Sequence, residues 1–367
     1  MYNPRPGDRL ESLDTPSMIV DLDIMEENIC KLMVLLKPTG VNIRPHLKTT
    51  KSPIIAKKLE EAGAKGGCVA KLSEGEVMAA EGFDDLLITC EIVGPSKVGR
   101  LVELFRSHPK IQTVIDSKPG ATAINNALAT SGIEYPIQVL IDLDVGLHRT
   151  GATPESALPL ARHIATLNHL KLIGIQGYEG HLQHVHGREA RETECRASMA
   201  VLVHTANMLR ENGFNIQVVT TGGTGTAEFC ATTSGITEVQ PGSFIFMDSD
   251  YRNAIGGFFS HSLTILSTVI SKSESERRVT VDAGLKSLTT DSGYAEPKDM
   301  PGVTYTPMGD EHGWLSYGDG PDLAIGARVE LIPSHIDPTV NLHDFYYAHR
   351  KGVIEEIWPV ATRGKVQ

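Results

Sequence analysis

The chain has 367 residues, of which 41% are hydrophobic, and a formal net charge of −11 at pH 7. That is enough apolar material for a large core and more than one folding unit. The acidic balance, with no dense Lys/Arg stretch, argues against nucleic acid and anionic membrane surfaces as partners. No run of about twenty apolar residues occurs, and no apolar core follows Met1-Tyr2-Asn3-Pro4-Arg5-Pro6, so a cytoplasmic protein without span or signal is expected. The cysteines Cys30, Cys68, Cys90, Cys195 and Cys230 are scattered and form no CxxC pair. They read mostly as small core residues in a reducing compartment.

Met18–Leu22 reads as a first strand, ahead of the regular pattern and free to join a second domain. Apolar or β-rich runs then follow at Val41–Arg44, Gly67–Ala70, Leu86–Ile92, Gln112–Ile115, Ile137–Leu143, Leu170–Gln176, Ile216–Thr220 and Glu238–Phe246. Helical patterns separate them, among them Ser52–Ala62, Ser73–Glu81, Pro95–Arg106, Pro154–Leu167 and Glu189–Asn212. Strands alternating with helices in this way predict an α/β fold with a (β/α)8 barrel. Near Gly256 the pattern changes to β-rich pieces at Leu263–Ile270, Arg278–Val281, Arg328–Ile332 and Lys351–Trp358, separated by turns such as Gly318-Asp319-Gly320-Pro321. The expected division is a barrel over 22–255 and a mostly-β domain over 256–367, joined by residues 1–21.

Barrel chemistry sits at the C-terminal ends of the strands. Lys48 follows the first barrel strand in Arg44-Pro45-His46-Leu47-Lys48-Thr49-Thr50-Lys51, where a primary amine is well placed to form an imine. Asp144–Gly151 follows the fifth strand and carries Arg149; Gly177–His184 follows the sixth and carries Tyr178, His181 and His184. After the seventh comes Gly222-Gly223-Thr224-Gly225-Thr226, whose backbone N–H groups and hydroxyls can hold a phosphate, with Gly242 and Ser243 supplying the other half. Such a segment alone reads more readily as a flexible turn; its place after strand seven of a barrel reverses that preference in favour of phosphate. Phosphate cradle plus lysine suggests pyridoxal 5'-phosphate. Arg149 suits the cofactor phenolate or a substrate carboxylate, or else a surface ion pair. Tyr178 is either a ring-stacking residue or an ordinary core tyrosine.

In Pro333-Ser334-His335-Ile336-Asp337-Pro338, an extended backbone points His335 and Asp337 the same way, as a divalent-metal pair with open positions. His-x-Asp is a common spacing, and the chain has 14 histidines, so chance pairs compete with this reading.

Taken in order, Pro45-His46-Leu47-Lys48, His148-Arg149-Thr150-Gly151, Gly177-Tyr178-Glu179-Gly180-His181, Gly222–Thr226, Gln240-Pro241-Gly242-Ser243 and His335-Ile336-Asp337 resemble the fold-type III pyridoxal-phosphate enzymes of the alanine racemase superfamily. Within these the chain is most similar to the D-threonine aldolase and D-serine dehydratase family. The resemblance implies a barrel, a C-terminal β domain and a head-to-tail homodimer. It makes Lys48 the Schiff-base lysine, places Arg149 near the phenolate and Tyr178 beside the ring, and assigns Thr224, Gly225, Thr226, Gly242 and Ser243 to the phosphate. Gln240 falls where alanine racemases carry an arginine near the pyridine nitrogen, and no racemase-type second tyrosine is evident.

Dehydratases of this family typically have cysteine where Asp337 stands; aspartate is the aldolase pattern and favours Mn²⁺ or Mg²⁺, with Zn²⁺ or Co²⁺ as alternatives. The resemblance therefore implies retro-aldol cleavage of a small D-3-hydroxy amino acid, D-threonine-like, to glycine and an aldehyde. His184 is the candidate base, with a metal-bound water as the competitor. A β-elimination, a 3-hydroxyaspartate aldolase and a non-catalytic cofactor carrier are the alternatives; the residues after Gly256 argue against the carrier.

Overall fold

A computed structural model describes residues 3–318 and 320–367; Met1, Tyr2 and Asp319 of the segments named above lie outside the described residues. The chain opens with strand β1 (Ser17–Asp21) and helix α1 (Leu22–Leu36). Barrel strands follow as β2 (Asn42–Ile43), β3 (Gly67–Val69), β4 (Leu86–Ile88), β5 (Gln112–Ile115), β6 (Ile137–Asp142), β7 (Leu170–Gly177), β8 (Val218–Thr221) and β9 (Glu238–Val239). Between them run α2 (Pro53–Glu61), α3 (Leu72–Ala80), α4 (Pro95–Ser107), α5 (Lys118–Thr130), α6 (Pro154–Ile164), α7 (Arg188–Glu211) and α8 (Ala227–Ala231).

All neighbouring pairs in this sheet are parallel, in the order β2-β9-β8-β7-β6-β5-β4-β3. The ring closes because the chain past β2 pairs with β3. Leu47 N–H donates to the Cys68 carbonyl at 2.8 Å, and Cys68 N–H to the Pro45 carbonyl at 2.9 Å. Cys68, Leu87, Val114, Leu140, Ile173 and Val218, one residue from each of six successive strands, pack as one apolar cluster. Each fully buried Leu, Val or Ile among them contributes about 1.5–3 kcal/mol. The eighth strand is shorter than its sequence suggests: pairing ends at Val239, Pro241 cannot donate, and Ser243–Ile245 turns into a single 3-10 turn.

This compact unit comprises Leu32–Lys48, Pro53–Gly242 and Lys365–Gln367. A second comprises Met1–Lys31, Thr49–Ser52 and Ser243–Gly364. It contains α9 (Ser249–Ile255), β10 (Leu263–Ser273), β11 (Arg278–Val281), β12 (Glu296–Pro297), β13 (Thr304–Pro307), β14 (Gly313–Ser316), β15 (Arg328–Ile332), α10 (Ile336–Val340), β16 (Phe345–Arg350) and β17 (Val353–Pro359). Its sheet runs β13-β14-β11-β10-β1-β16-β17, with β15 joined to β10 and β12.

The early strand β1 thus belongs here, antiparallel to β10 and parallel to β16. Ile19 of β1 packs with Leu13, Leu266 and Ile354. A second cluster of buried rings forms around Tyr346, whose hydroxyl donates to the Thr50 carbonyl at 2.6 Å and whose ring lies 6.3 Å from Trp358 and 5.5 Å from Phe246. Among the described residues no helix is long and apolar enough to cross a membrane. Cys68, Cys195 and Cys230 are buried, whereas Cys30 is exposed.

Candidate active site

The barrel strands end in polar residues although their middles are apolar. Asp142 at the end of β6, Gln176 on β7, Thr220 on β8 and Gln240 just past β9 are all buried. They form a directed chain. Gln240 Nε2 donates to Thr220 Oγ1 at 2.8 Å and to Gln176 Oε1 at 3.1 Å, and Gln176 Nε2 donates to Asp142 Oδ1 at 2.9 Å. Burial pushes the Asp142 carboxyl up to about 7; the Gln176 bond works the other way and neighbouring Glu91 adds to the rise.

Lys48 lies half-buried at the end of the segment that closes the ring. Its position is fixed by backbone bonds on both sides: Leu47 to Cys68, and His46 N–H to the Pro241 carbonyl at 3.1 Å. Farther back Arg44 is buried and bonded to Glu238 at 3.0 Å and Asp85 at 2.8 Å, tying β2 to its neighbours.

Arg149 is exposed, with its guanidinium carbon 5.6 Å from the centroid of the Tyr178 ring. Both line a small cleft with Asp142, Leu143, Asp144, Leu147 and Thr150. Tyr178 folds over its own loop: a Cβ on Gly180 would stand 2.5 Å from the ring, so glycine is required there. His184 is half-buried beyond the turn Gly180–Leu182, while His181 is exposed.

The glycine-rich loop is held from beneath by Glu179, a fully buried carboxylate. It accepts from Thr226 Oγ1 at 2.5 Å, Thr221 Oγ1 at 2.8 Å, Gln183 Nε2 at 3.1 Å and Gly222 N–H at 3.3 Å. Gly225 N–H donates to Gln183 Oε1 at 2.9 Å, Gly223 N–H to Thr226 Oγ1 at 3.2 Å, and Thr226 N–H to the Gly223 carbonyl at 3.2 Å. A Cβ on Gly225 would come within 2.4 Å of the Gln183 carbonyl oxygen, which explains the glycine. The expectation that this loop turns several N–H groups outward is therefore corrected. Those of Gly222, Gly223, Gly225 and Thr226 are engaged within the loop and its support, and Thr226 is fully buried.

In the other unit, His335 and Asp337 do not lie on an extended segment as expected. His335 is extended (φ −144°, ψ 123°), but it caps the short helix α10, and Asp337 sits in its first turn. Pro338 explains this, since proline near a helix start costs no hydrogen bond. His335 Nδ1 is 2.6 Å from Asp291 Oδ2. Ile336 N–H, between the two residues, donates to Asp248 Oδ2 at 2.9 Å, while Asp248 Oδ1 accepts from Tyr251 N–H at 2.8 Å and caps α9. Burial pushes Asp248 up to about 6.

Known proteins match both units of the chain. The family model "Alanine racemase, N-terminal domain" matches residues 20–250, and a serine dehydratase domain matches 262–349. A D-threonine aldolase of Arthrobacter sp is 40% identical, covering 98% of this chain and 95% of its own length. The chain belongs to the D-threonine aldolase and D-serine dehydratase family. A 3-hydroxy-D-aspartate aldolase of Paracoccus denitrificans is 34% identical over 98% of this chain and 95% of the relative. The crystal structure of a D-threonine aldolase from Filomicrobium marinum superposes with a TM-score of 0.95 at 35% identity, covering 99% of this chain and all of that one.

Sequence reasoning on this aldolase–dehydratase chain missed the supporting residues Glu179, Gln183, Asp142, Gln176, Asp248 and Asp291. Glu179 and Gln183 lay inside the Gly177–His184 segment; the others act through contacts many residues away in sequence. One further grouping arises from the fold: ligand atoms of Glu179, Cys195 and Cys230 all lie within 4.8 Å of one another. It does not suit a metal. The Glu179 oxygens are already occupied by donors, and burial holds the Cys230 thiol well above its ordinary range, whereas a metal needs the thiolate.

Proposed function

We propose that the chain is a pyridoxal-phosphate- and divalent-metal-dependent lyase that cleaves D-threonine-like D-3-hydroxy amino acids to glycine and an aldehyde. The observation that carries this reading is the near full-length 40% identity to the Arthrobacter D-threonine aldolase. Aspartate at position 337 supports it, because a nitrogen and a carboxylate oxygen suit a hard ion such as Mn²⁺ or Mg²⁺.

The donor sets fit both groups. Lys48 offers a primary amine, and Arg149 a fixed charge beside the Tyr178 ring; the Thr224 and Ser243 hydroxyls, with Gly242, serve the phosphate. The firm inward bonding of Gly225 and Thr226 gives those two a shaping role for the phosphate site rather than a direct one. Gln240, its Nε2 fully committed to Thr220 and Gln176, serves the pyridine edge. When bound, pyridoxal phosphate supplies an electron sink for charge left at the substrate Cα, and a metal on His335 and Asp337 supplies acidification of the β-hydroxyl.

The protein's own part is to orient the amino acid through Arg149 and Tyr178 and to accept the β-hydroxyl proton at His184. We assign the cofactor role to residues 22–255, the metal pair to 256–367, and a homodimer as the working form.

The test is a product assay on D-threonine with pyridoxal phosphate and Mn²⁺, with and without EDTA. Glycine and acetaldehyde that vanish on chelation are expected. The serine dehydratase domain match over 262–349 favours elimination as the second reading. A keto acid with ammonia would establish it in place of the aldolase.

A further inference from the structure

The metal pair is held in place by more than its own backbone. Ser334 Oγ donates to the Gly293 carbonyl at 2.9 Å, Thr339 Oγ1 donates to the His335 carbonyl at 2.8 Å, and Thr289 N–H donates to Thr339 Oγ1 at 3.3 Å. The segment from Thr289 to Gly293 is thereby laced to the turn that carries His335 and Asp337. Asp291 lies in the middle of that segment. One of its oxygens, Oδ1, accepts from Thr289 Oγ1 at 2.6 Å, and the other meets His335 Nδ1 at 2.6 Å. The carboxylate is therefore anchored before it engages the imidazole. Asp248 in turn accepts from Ile336 N–H at 2.9 Å.

Among the described residues no third His, Cys, Asp or Glu ligand atom gathers with His335 and Asp337 within 4.8 Å of both. A metal there has two protein donors, so little else constrains the imidazole. Resting on the reading of His335 and Asp337 as ligands, we propose that Asp291 is a positioning residue for the metal. It holds the proton on His335 Nδ1, turns Nε2 toward the ion and makes that nitrogen a stronger donor. A carboxylate behind a metal-bound histidine acts in this way in many sites. An ordinary exposed ion pair would contribute nothing to metal affinity.

The test is direct Mn²⁺ titration of the cofactor-loaded full chain, following free Mn²⁺ by electron paramagnetic resonance, in wild type, His335→Ala, Asp291→Ala and Asp291→Asn. Asp291→Ala is expected to weaken Mn²⁺ binding by about 10–100-fold. Asp291→Asn, which keeps an acceptor for Nδ1–H without the charge, falls between it and wild type. The visible absorbance of the bound cofactor stays that of wild type in both, which reports intact folding at the exposed position 291. Mn²⁺ affinity in Asp291→Ala within twofold of wild type, while His335→Ala loses the metal, overturns the positioning role. Equal damage from Asn and Ala also overturns it, because a lost ligand rather than a misoriented imidazole would then be the cause. Undiminished Mn²⁺ binding by His335→Ala fails the underlying metal site instead.

Discussion

Replacing Glu179 separates support of the glycine-rich loop from simple filling of space. In Glu179→Ala, the donors of Thr226, Thr221, Gln183 and Gly222 lose an acceptor now at 2.5, 2.8, 3.1 and 3.3 Å inside a buried site, while Gln183 Nε2 keeps Thr226 Oγ1 at 2.9 Å. Each buried donor left without a partner costs about 1–3 kcal/mol. The four share one carboxylate and are not additive, so the expected loss is about 3–5 kcal/mol. Glu179→Gln keeps one acceptor oxygen but sets an amide N–H against a donor, for an expected loss of about 1–2 kcal/mol. Urea unfolding of the cofactor-free proteins measures both losses, and titration with pyridoxal phosphate measures the consequence for the loop. Cofactor affinity should fall in the same order, Ala below Gln below wild type. A loss under about 1 kcal/mol for Glu179→Ala, with unchanged cofactor affinity, would refute the reasoning; so would a Gln variant as damaged as Ala.

Lys48→Arg keeps the charge but cannot form an imine. Borohydride should therefore add a pyridoxyl mass to wild type and none to the variant, and a labelled variant would show that another lysine carries the cofactor. The Asp142 carboxyl is raised from 3.8 to about 7 by burial, so the folded state holds its proton more tightly than the unfolded chain does. Stability from this group is fully present below about pH 4 and is lost as pH rises to about 7, with a ceiling of about 4 kcal/mol. Asp142→Asn retains an acceptor for Gln176 and removes the ionisation. Its unfolding free energy should be flatter than wild type across that window, and an unchanged pH slope in urea titrations would refute the assignment.

The barrel was legible because its signals are local. Gln112–Ile115 coincides with β5, and the alternation of strands and helices survives short strands because each helix carries its own apolar stripe. Helix α5 escaped notice although Ser117 caps it and Pro119 stands in its first turn, a start signal masked by the following glycine. Strands β12 to β14 are four residues or fewer and contain glycine or proline, so no period can show. Within the site, residue types that touch ligands stand out as motifs. Their supports do not: Asp291 reaches His335 across 44 residues and Asp248 reaches Ile336 across 88, pairings created only by folding. The expectation for His335 and Asp337 assumed an extended segment where a helix begins at Ile336, with Pro338 in its first turn.

The seam of the barrel has a consequence for how the protein matures. The backbone bonds that join the first strand's extension to β3 end at Leu47, one residue before Lys48. Those bonds fix where the lysine stands among the strand ends. On the proposed role of Lys48 as the imine lysine, imine formation is expected to need this seam. The yellow colour of a pyridoxal-loaded preparation would then report a closed seam as well as a bound cofactor.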